Sequence, residues 1–254
     1  MRALALELAG TTASTDPELR DELGFEISAR WILRPGSTDD ATARELVLRH
    51  LAHVHDGLGG ENDDTLFGRS FSALHLSRLV RRDLARPFLD PALRSELVRA
   101  ACRVLREERD RRGWVESKGW GHAIAHDADL LAALAREPGL SADEQRAMLD
   151  ALEGGLAGQN VCGENGRLAA VLSALVARAD FVEPEFERWL DLRARETRAV
   201  WEQQPFDPAF FRRTENAGAL LRDVLLGILL DEHASATARR AAEAIRSRFV
   251  AVRG

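Results

Sequence analysis

The sequence predicts an all-α fold, an α-α superhelix of stacked antiparallel helical hairpins of the HEAT or armadillo type with about ten helices. The first observation is compositional: the chain is 45% hydrophobic and rich in Leu, Ala, Arg and Glu. The second is that apolar residues recur at helical spacing between short breaks containing Pro or Gly. The third is that the helical segments pair about every 40 to 50 residues, as stacked hairpins do. We expect residues 1–254 to form a single α-helical repeat-like domain.

Capping and stop signals place the helices of the first half. The stretch Met1 to Gly10 contains Glu7, which favours a helix over a signal peptide. Asp16-Pro17 and Asp90-Pro91 are helix starts, with Asp as the N-cap and Pro at the first helical position. Thr38 to Asp40 caps a further helix. The predicted spans are about 17–33, 41–56, 66–86 and 92–111.

The second half carries similar signals. Gly119 and Gly121 bracket Trp120, and an Ala- and Leu-rich run follows, so we expect a loop and then a helix to about Arg136. Ser141 and Glu144 have the spacing of a capping box. The predicted spans are about 120–136, 141–154, a helix that follows 164–168 and ends near 180, then 184–203, 209–231 and 235–251.

Charge and hydropathy argue against several classes of partner. The net charge of -6 weighs against nucleic acid as the main partner. No run of about 18 apolar residues is present, so we expect no membrane span. The two cysteines, Cys102 and Cys162, lack metal-type spacing, and their number suits a reducing cytoplasm, where we expect the protein to reside. Residues 106–112 alternate in sign, which is typical of a solvated, ion-paired helix face.

The most informative stretch is residues 114–131, which contains two Trp, two His and three acidic residues. His122, His126 and Asp129 follow an i, i+4, i+7 spacing and share one face of the predicted helix. Two imidazoles and a carboxylate can hold a divalent metal such as zinc with open positions. Ile124 and Leu131 lie on the opposite side, so we expect the polar stripe to be solvated or to line a groove. A metal site, a non-metal polar pocket and a plain polar face all remain open.

Lys118 is the only lysine among 35 basic residues. A site that requires a compact ammonium with three donors explains such a choice, because Arg is not equivalent there. Anion binding, an ion pair with Glu116 or Glu164, and a capping contact to a buried carbonyl are the candidate roles, and chance is the alternative.

Several polar residues share a position at the starts of predicted hairpins. If the hairpins stack in parallel, these starts lie on one edge of the superhelix. We therefore expect a polar groove in which a small anionic ligand or a peptide binds. The expected ligand-binding residues are Arg69, Lys118, Trp120, Glu164 and Arg167.

A His-Asp pair at His126-Asp127 raises a further hypothesis, a phosphohydrolase of the HD type. His75 is then the upstream histidine, and Asp180 or Asp223 is the later acid. Asp127 lies toward the apolar side of its predicted helix, which argues against this assignment.

The chain resembles the bacterial DUF2785 family, a domain of unknown function. The resemblance covers most of the chain and rests on three motifs, Arg69 to Leu74, Lys118 to Leu131 and Glu164 to Leu168, and on the opening from Asp16 to Trp31. It implies an all-helical, HEAT-like fold and no particular activity.

Three classes of function remain open at this point. The first is a module that binds a small anionic ligand or a peptide. The second is a metal-dependent hydrolase, with His122, His126 and Asp129 as ligands, Glu164 as the base and Lys118 as the electrophilic group. The third is a nucleic-acid protein that uses a HEAT groove, which the net charge disfavours. The sequence leaves open whether the protein is an enzyme and whether it forms oligomers.

Overall fold

The all-α prediction is confirmed by the computed structural model, which describes residues 2–249. Within that range the chain forms eleven α-helices and one two-stranded antiparallel hairpin. The last two residues of the helix predicted over 235–251 lie outside the described range. The elements are α1 Arg2–Ala9, a π-helical segment Glu18–Glu26, α2 Ile27–Leu33, α3 Asp40–His53, α4 Thr65–Ala85, α5 Pro91–Glu107, β1 Trp114–Val115, β2 Gly119–Trp120, α6 Ala123–Leu134, α7 Ala142–Leu156, α8 Glu164–Val176, α9 Glu183–Ala199, α10 Pro208–Leu230 and α11 Ala236–Phe249.

Alternate helices pack against one another along the chain. α4 contacts α6, α6 contacts α8, and α8 contacts α10. The intervening helices cover this row, because α3 packs on α4, α5 packs on α6 and α7, and α7 packs on α8. Stacked antiparallel hairpins have this connectivity. The superhelical path of the stack stays a prediction.

The predicted capping residues begin three of these helices. The Asp39 side chain accepts a hydrogen bond from the Thr42 amide at 2.7 Å. Asp90 likewise precedes Pro91 and caps α5. Ser141 and Glu144 form the predicted capping box of α7. These contacts satisfy amide groups that have no partner within their own helix.

Helix α6 lies at the centre of the molecule, and all of its residues from Ala123 to Leu134 are buried. Of the two expectations for its His126 and Asp129 face, the solvated face is wrong, since both residues are only 7% exposed. The reason is that α4 and α8 pack against α6 on either flank while α5 covers it. The polar stripe lies at a helix-helix junction and not on a free face. The groove stays a prediction.

Helix α5 ends four residues earlier than predicted, at Glu107. Within the sign-alternating segment, Glu108 and Asp110 are almost completely buried, which corrects the expectation of a wholly solvated face. Their carboxylates pair with arginines, Glu108 with Arg69 and Asp110 with Arg112. These pairs turn the chain away from the helical path.

Helix α6 begins at Ala123 and not at Trp120. Trp120 belongs to β2 and pairs with Trp114 of β1 in an antiparallel register. His122 then has a left-handed backbone conformation, with φ 51°. A helix cannot extend back through a residue in that conformation. None of the described helices combines the length and the apolar character needed to cross a membrane.

Candidate functional site

The hairpin of β1 and β2 is fixed to the helical stack by Arg20. The Arg20 side chain is completely buried, and its Nη2 donates a hydrogen bond to the carbonyl of Lys118 at 2.8 Å. Its guanidinium lies over the rings of Phe67 and Phe71, at 4.4 and 4.7 Å from their centroids. This stacking holds a delocalised cation in an apolar setting. The hairpin is thus anchored by a residue that lies 98 positions earlier in the chain.

Arg69, one of the predicted ligand-binding residues, lies inside the protein. Its Nε and Nη2 donate to the two carboxylate oxygens of Glu108, at 2.5 and 3.0 Å, and neither side chain is exposed. Its Nη1 donates to Thr65 Oγ1 at 2.9 Å. A ligand would have to displace Glu108 to reach this guanidinium. The structure therefore separates Arg69 from the other predicted ligand-binding residues.

Lys118 forms an ion pair with Asp64, a partner that the sequence did not suggest. Its Nζ lies 2.8 Å from both carboxylate oxygens of Asp64, and both side chains are partly exposed. Asp64 precedes the first turn of α4. The pair ties the hairpin tip to the start of α4, and exposed pairs of this kind stabilise a fold by about 1 kcal/mol at most.

A chain of aromatic contacts leads from the hairpin into the protein. Trp114 and Trp120 are both exposed, and their rings meet edge to face at 5.1 Å. Trp120 packs on His122 at 4.2 Å, and His122 meets His126 edge to face at 5.7 Å. The Trp120 indole therefore lies beside the polar stripe of α6. It is available to pack against the organic part of a ligand.

His126 is buried and neutral. Ser70 Oγ donates to the carbonyl of Gly121, so the Nδ1–H of His126 donates to Ser70 Oγ at 2.8 Å. The ring nitrogen that keeps its lone pair is then Nε2. Burial lowers the pKa of His126 well below its ordinary value of 6.5, and the charges of His122, Arg167 and Arg78 add to this effect. The guanidinium groups of Arg167 and Arg78 therefore lie close enough to disfavour protonation of His126.

The arginines beside His126 come from the two helices that flank α6. Arg167 of α8 forms an ion pair with Asp129, and about half of its side chain is exposed. Arg78 of α4 has its pKa lowered by burial and then by Arg81, while Asp129 raises it. We use the name His126 recess for the group formed by His126, Asp129, Arg78, Arg167 and Trp120, in which Arg167 pairs with Asp129 and Trp120 packs on His122.

Within residues 2–249, one separate cluster of side chains has the spacing of a metal site. It consists of His122, Cys162 and Glu164, whose donor atoms all lie within 4.8 Å of one another. The predicted set of His122, His126 and Asp129 is not assembled in this way. Asp129 pairs with Arg167, and His126 Nδ1 pairs with Ser70. Of the predicted metal ligands, only His122 belongs to the cluster.

The residues of the HD hypothesis have other partners or surroundings. Asp127 is completely buried, and burial raises its pKa well above 3.8, with the nearby charge of Glu108 adding to the shift. His75 stacks on His50 at 4.5 Å, and its Nδ1 pairs with the carbonyl of Phe71. Among the described residues, His75, His126 and Asp127 form no metal-type group.

Sequence reasoning missed three residues that shape this region. Arg20 and Arg78 occur in helical patterns that contain many other arginines, so nothing marks them. Cys162 lies in a loop 40 residues after His122, and no short-range spacing links the two. Only the packing of α6 against α8 brings them together. Gly163, which precedes α8, has a left-handed conformation with φ 89°, and a glycine beside Cys162 is the local sequence signal for it.

Comparisons with known proteins give one match. A family model described as a protein of unknown function, DUF2785, matches residues 55–226. No curated protein and no solved structure matches the chain. The matched range is more than half of the chain. It contains the hairpin, the His126 recess and the cluster of His122, Cys162 and Glu164, whereas Arg20 precedes it.

Proposed function

The chain belongs to the DUF2785 family of proteins of unknown function, and we propose that it binds a small organic anion in the His126 recess. The charged end of the ligand contacts Arg78 and Arg167, and its organic part packs against Trp120. The role is that of a binding protein. Of the two predicted ligand classes, small anion and peptide, the local concentration of charge favours the small anion.

The observation that carries the proposal is an excess of arginines over carboxylates around Arg78. Arg78, Arg81 and Arg167 lie close enough together for Arg81 and Arg167 each to lower the pKa of Arg78, after the larger effect of burial. Asp129 and Glu26 are the two carboxylates that raise the pKa of Arg78. The whole chain has a net charge of -6. A local positive field in an acidic protein attracts anionic ligands selectively.

The chemistry of the flanking groups supports the same ligand class. A guanidinium binds a carboxylate or a phosphate through two parallel hydrogen bonds. The Arg167 side chain is half exposed, so a ligand can reach it without unfolding a helix. An exposed indole next to such a charge provides an apolar surface at small entropic cost. Together these groups match a flat organic anion.

The proposal retains two of the predicted ligand-binding residues, Trp120 and Arg167, and adds Arg78. Lys118 lies on the hairpin and is paired with Asp64. Arg69 is sequestered by Glu108, and Glu164 belongs to the neighbouring cluster with Cys162. The predicted hydrolase relied on a metal shared by His122, His126 and Asp129. The separate pairing of His126 and Asp129 gives that alternative less support than anion binding.

Nuclear magnetic resonance titration of the ¹⁵N-labelled protein tests the proposal. The probes are phenyl phosphate and benzoate, with uncharged phenol as the control. Saturable shifts of the Trp120 indole N–H and of the Arg167 Nε–H are expected with both anions, and phenol should shift neither to saturation.

Two variants locate the binding site. The double change Arg78→Gln and Arg167→Gln should weaken binding by about tenfold or more, because each charged hydrogen bond contributes about 1.5 to 3 kcal/mol. Arg188→Gln removes the same kind of charge from an exposed position on α9 and should change nothing. The proposal fails if neither anion binds with a dissociation constant below about 10 mM. It also fails if the double variant binds as tightly as the wild type.

A further inference from the structure

We propose that His122, Cys162 and Glu164 form a binding site for a divalent ion of the zinc class. The three residues come from three places: the residue before α6, the loop before α8 and the first residue of α8. The site is separate from the His126 recess, and its occupation does not require an organic anion. It lies at the N-terminal ends of two adjacent helices of the stack.

The donor atoms already converge. One ring nitrogen of His122, the Sγ of Cys162 and one carboxylate oxygen of Glu164 lie within 4.8 Å of one another. Zinc bonds of about 2.0 Å to nitrogen and oxygen and about 2.3 Å to sulfur place tetrahedral donors about 3.3 to 3.8 Å apart. Side-chain rotations that move these atoms by about 1 Å complete the site, and no movement of a helix is needed.

Two buried acceptor atoms in this region have no partner among the described residues. They are Nε2 of His122 and Oδ1 of Asn160, and both side chains line the same pocket, which is too narrow to hold a water molecule. Buried polar atoms without partners are rare and destabilise a fold. A bound cation supplies the missing partner of His122, because Nε2 can coordinate the ion. The pocket is too narrow for an organic ligand.

Local backbone structure shapes the cluster. A Cβ at Gly113 would overlap the Sγ of Cys162, so glycine at this position leaves room for the thiol. His122 has a left-handed conformation, which is unfavourable for a residue with a side chain, and such strain is concentrated at functional sites. The amide of Cys162 donates to Oε2 of Glu164 at 2.7 Å. This hydrogen bond orients the carboxylate and leaves Oε1 free to bind the ion.

The donor set selects the class of ion. A thiolate with an imidazole and a carboxylate suits Zn²⁺ or Co²⁺, whereas Mg²⁺ and Ca²⁺ require oxygen ligands. On binding, the Cys162 thiol releases its proton to solvent, and the thiolate and the Glu164 carboxylate together neutralise the charge of the ion. Two arginines line the pocket, and both are engaged: Arg111 with the carbonyl of Gly154 at 2.7 Å and Arg112 with Asp110. Three protein ligands leave a coordination position open.

The same three residue types also occur in nucleophilic triads, and the geometry separates the two cases. In a triad, the carboxylate contacts the ring nitrogen on the far side of the imidazole from the nucleophile. Here the thiol and the carboxylate oxygen lie near the same nitrogen and near each other. Donors that converge on one point favour coordination of an ion over relay of a proton.

Titration of the reduced, metal-free full-length protein with Co²⁺ tests the site. We expect a thiolate-to-cobalt charge-transfer absorption in the near ultraviolet that saturates at one ion per chain and disappears when Zn²⁺ is added. Cys162→Ser should abolish this band. His122→Asn, which keeps a residue that tolerates the left-handed conformation, should weaken binding by about tenfold or more.

The second cysteine provides a matched control. Cys102 is buried in α5, and burial raises the pKa of its thiol to about 12. Cys102→Ala should therefore retain the full cobalt band. A band that survives Cys162→Ser, or one that Cys102→Ala removes, would place the metal elsewhere and overturn the proposal.

Alkylation of the wild-type protein gives a test that does not depend on a variant. Iodoacetamide should modify Cys162, and saturating Zn²⁺ should slow this reaction by about tenfold or more, measured on the Cys162 peptide by mass spectrometry. Equal rates with and without Zn²⁺ would contradict the site, as would the absence of any cobalt band in the reduced protein.

Discussion

Arg69 and Glu108 form a doubly hydrogen-bonded ion pair that joins the start of α4 to the end of α5, and neither side chain is exposed. The amide of Asp110 also donates to Glu108, at 2.8 Å. The pair thereby fixes the loop that leads to β1. The positive charge of Arg69 stabilises the fold around the His126 recess and is not available at its surface.

Removal of one partner of this pair should destabilise the protein strongly. Arg69→Ala leaves the Glu108 carboxylate buried without its counter-ion, and we expect the free energy of unfolding to fall by about 3 to 5 kcal/mol. The double change Arg69→Met and Glu108→Leu should lose less, because it leaves no unpaired charge. Urea denaturation measures both changes. A loss below about 1 kcal/mol for Arg69→Ala would show that the pair contributes little.

The anchoring role of Arg20 predicts a local effect on the hairpin. Arg20→Met removes the hydrogen bond to the Lys118 carbonyl, and we expect a loss of about 2 to 4 kcal/mol in unfolding free energy. Hydrogen exchange of the peptide that contains residues 114–121 should accelerate in this variant. Arg30→Met is the control, because that side chain is exposed. Equal exchange in both variants would contradict the anchor.

The stacked pair of His50 and His75 should make the fold sensitive to acid. Burial lowers the pKa of His50 well below 6.5 and that of His75 to about 4. The unfolded state therefore binds more protons than the folded state, so stability is fully present above pH 6.5 and is lost as the pH falls toward 4. Each histidine contributes a slope of about 1.4 kcal/mol per pH unit in that window.

The double variant His50→Leu, His75→Leu checks the source of this slope. Urea denaturation between pH 7 and about 4 should show a shallower loss of stability than in the wild type, whatever its stability at neutral pH. His233→Gln, at an exposed position after α10, is the matched control. An unaltered slope in the double variant would assign the acid sensitivity to other groups.

Asp127 should have the opposite dependence on pH. Its folded pKa is raised well above 3.8 by burial, so the folded state binds a proton that the unfolded state has released. Stability is therefore lost as the pH rises from about 3.8 toward the folded pKa. Asp127→Asn should remove this dependence and raise the unfolding free energy at neutral pH. A less stable variant at neutral pH would show that the ionised carboxylate is needed, as an HD-type site requires.

We expect the substitution Asp129→Asn to strengthen the binding of an anion. The Asp129 carboxylate forms an ion pair with the Arg167 guanidinium. It therefore competes with an added anion for that guanidinium. Its neutralisation should tighten the binding of phenyl phosphate by about two- to fivefold. Isothermal titration calorimetry measures the change. Weaker binding in this variant would indicate that the carboxylate positions the arginine for the ligand and does not compete with it.

The helices could be predicted from the sequence because their signals are local. Asp39, Asp90-Pro91 and the Ser141–Glu144 box each begin a helix at the expected place. The end of α5 and the start of α6 could not be placed, because they depend on long-range pairs. Glu108 leaves the helical path to reach Arg69, 39 residues away, and a strand pair of two residues produces no periodic pattern.

The candidate sites, like the helices, could be predicted only where the sequence signal is local. The sequence singled out His122, Trp120 and Arg167 from their unusual surroundings, and the structure places them near one another. The partners of these residues come from packing between helices. Cys162 meets His122, and Arg78 lies beside Arg167, only because α4, α6 and α8 are neighbours. A single sequence does not show which helices pack against one another.

Calorimetric titration of phenyl phosphate tests anion binding in the His126 recess most directly. The titrations compare the wild type, the Arg78→Gln, Arg167→Gln double variant and the Arg188→Gln control at one low ionic strength. Anion binding in the recess predicts a dissociation constant that rises by about tenfold or more in the double variant and stays unchanged in the control. Equal constants in all three proteins, or no binding to the wild type, would contradict it.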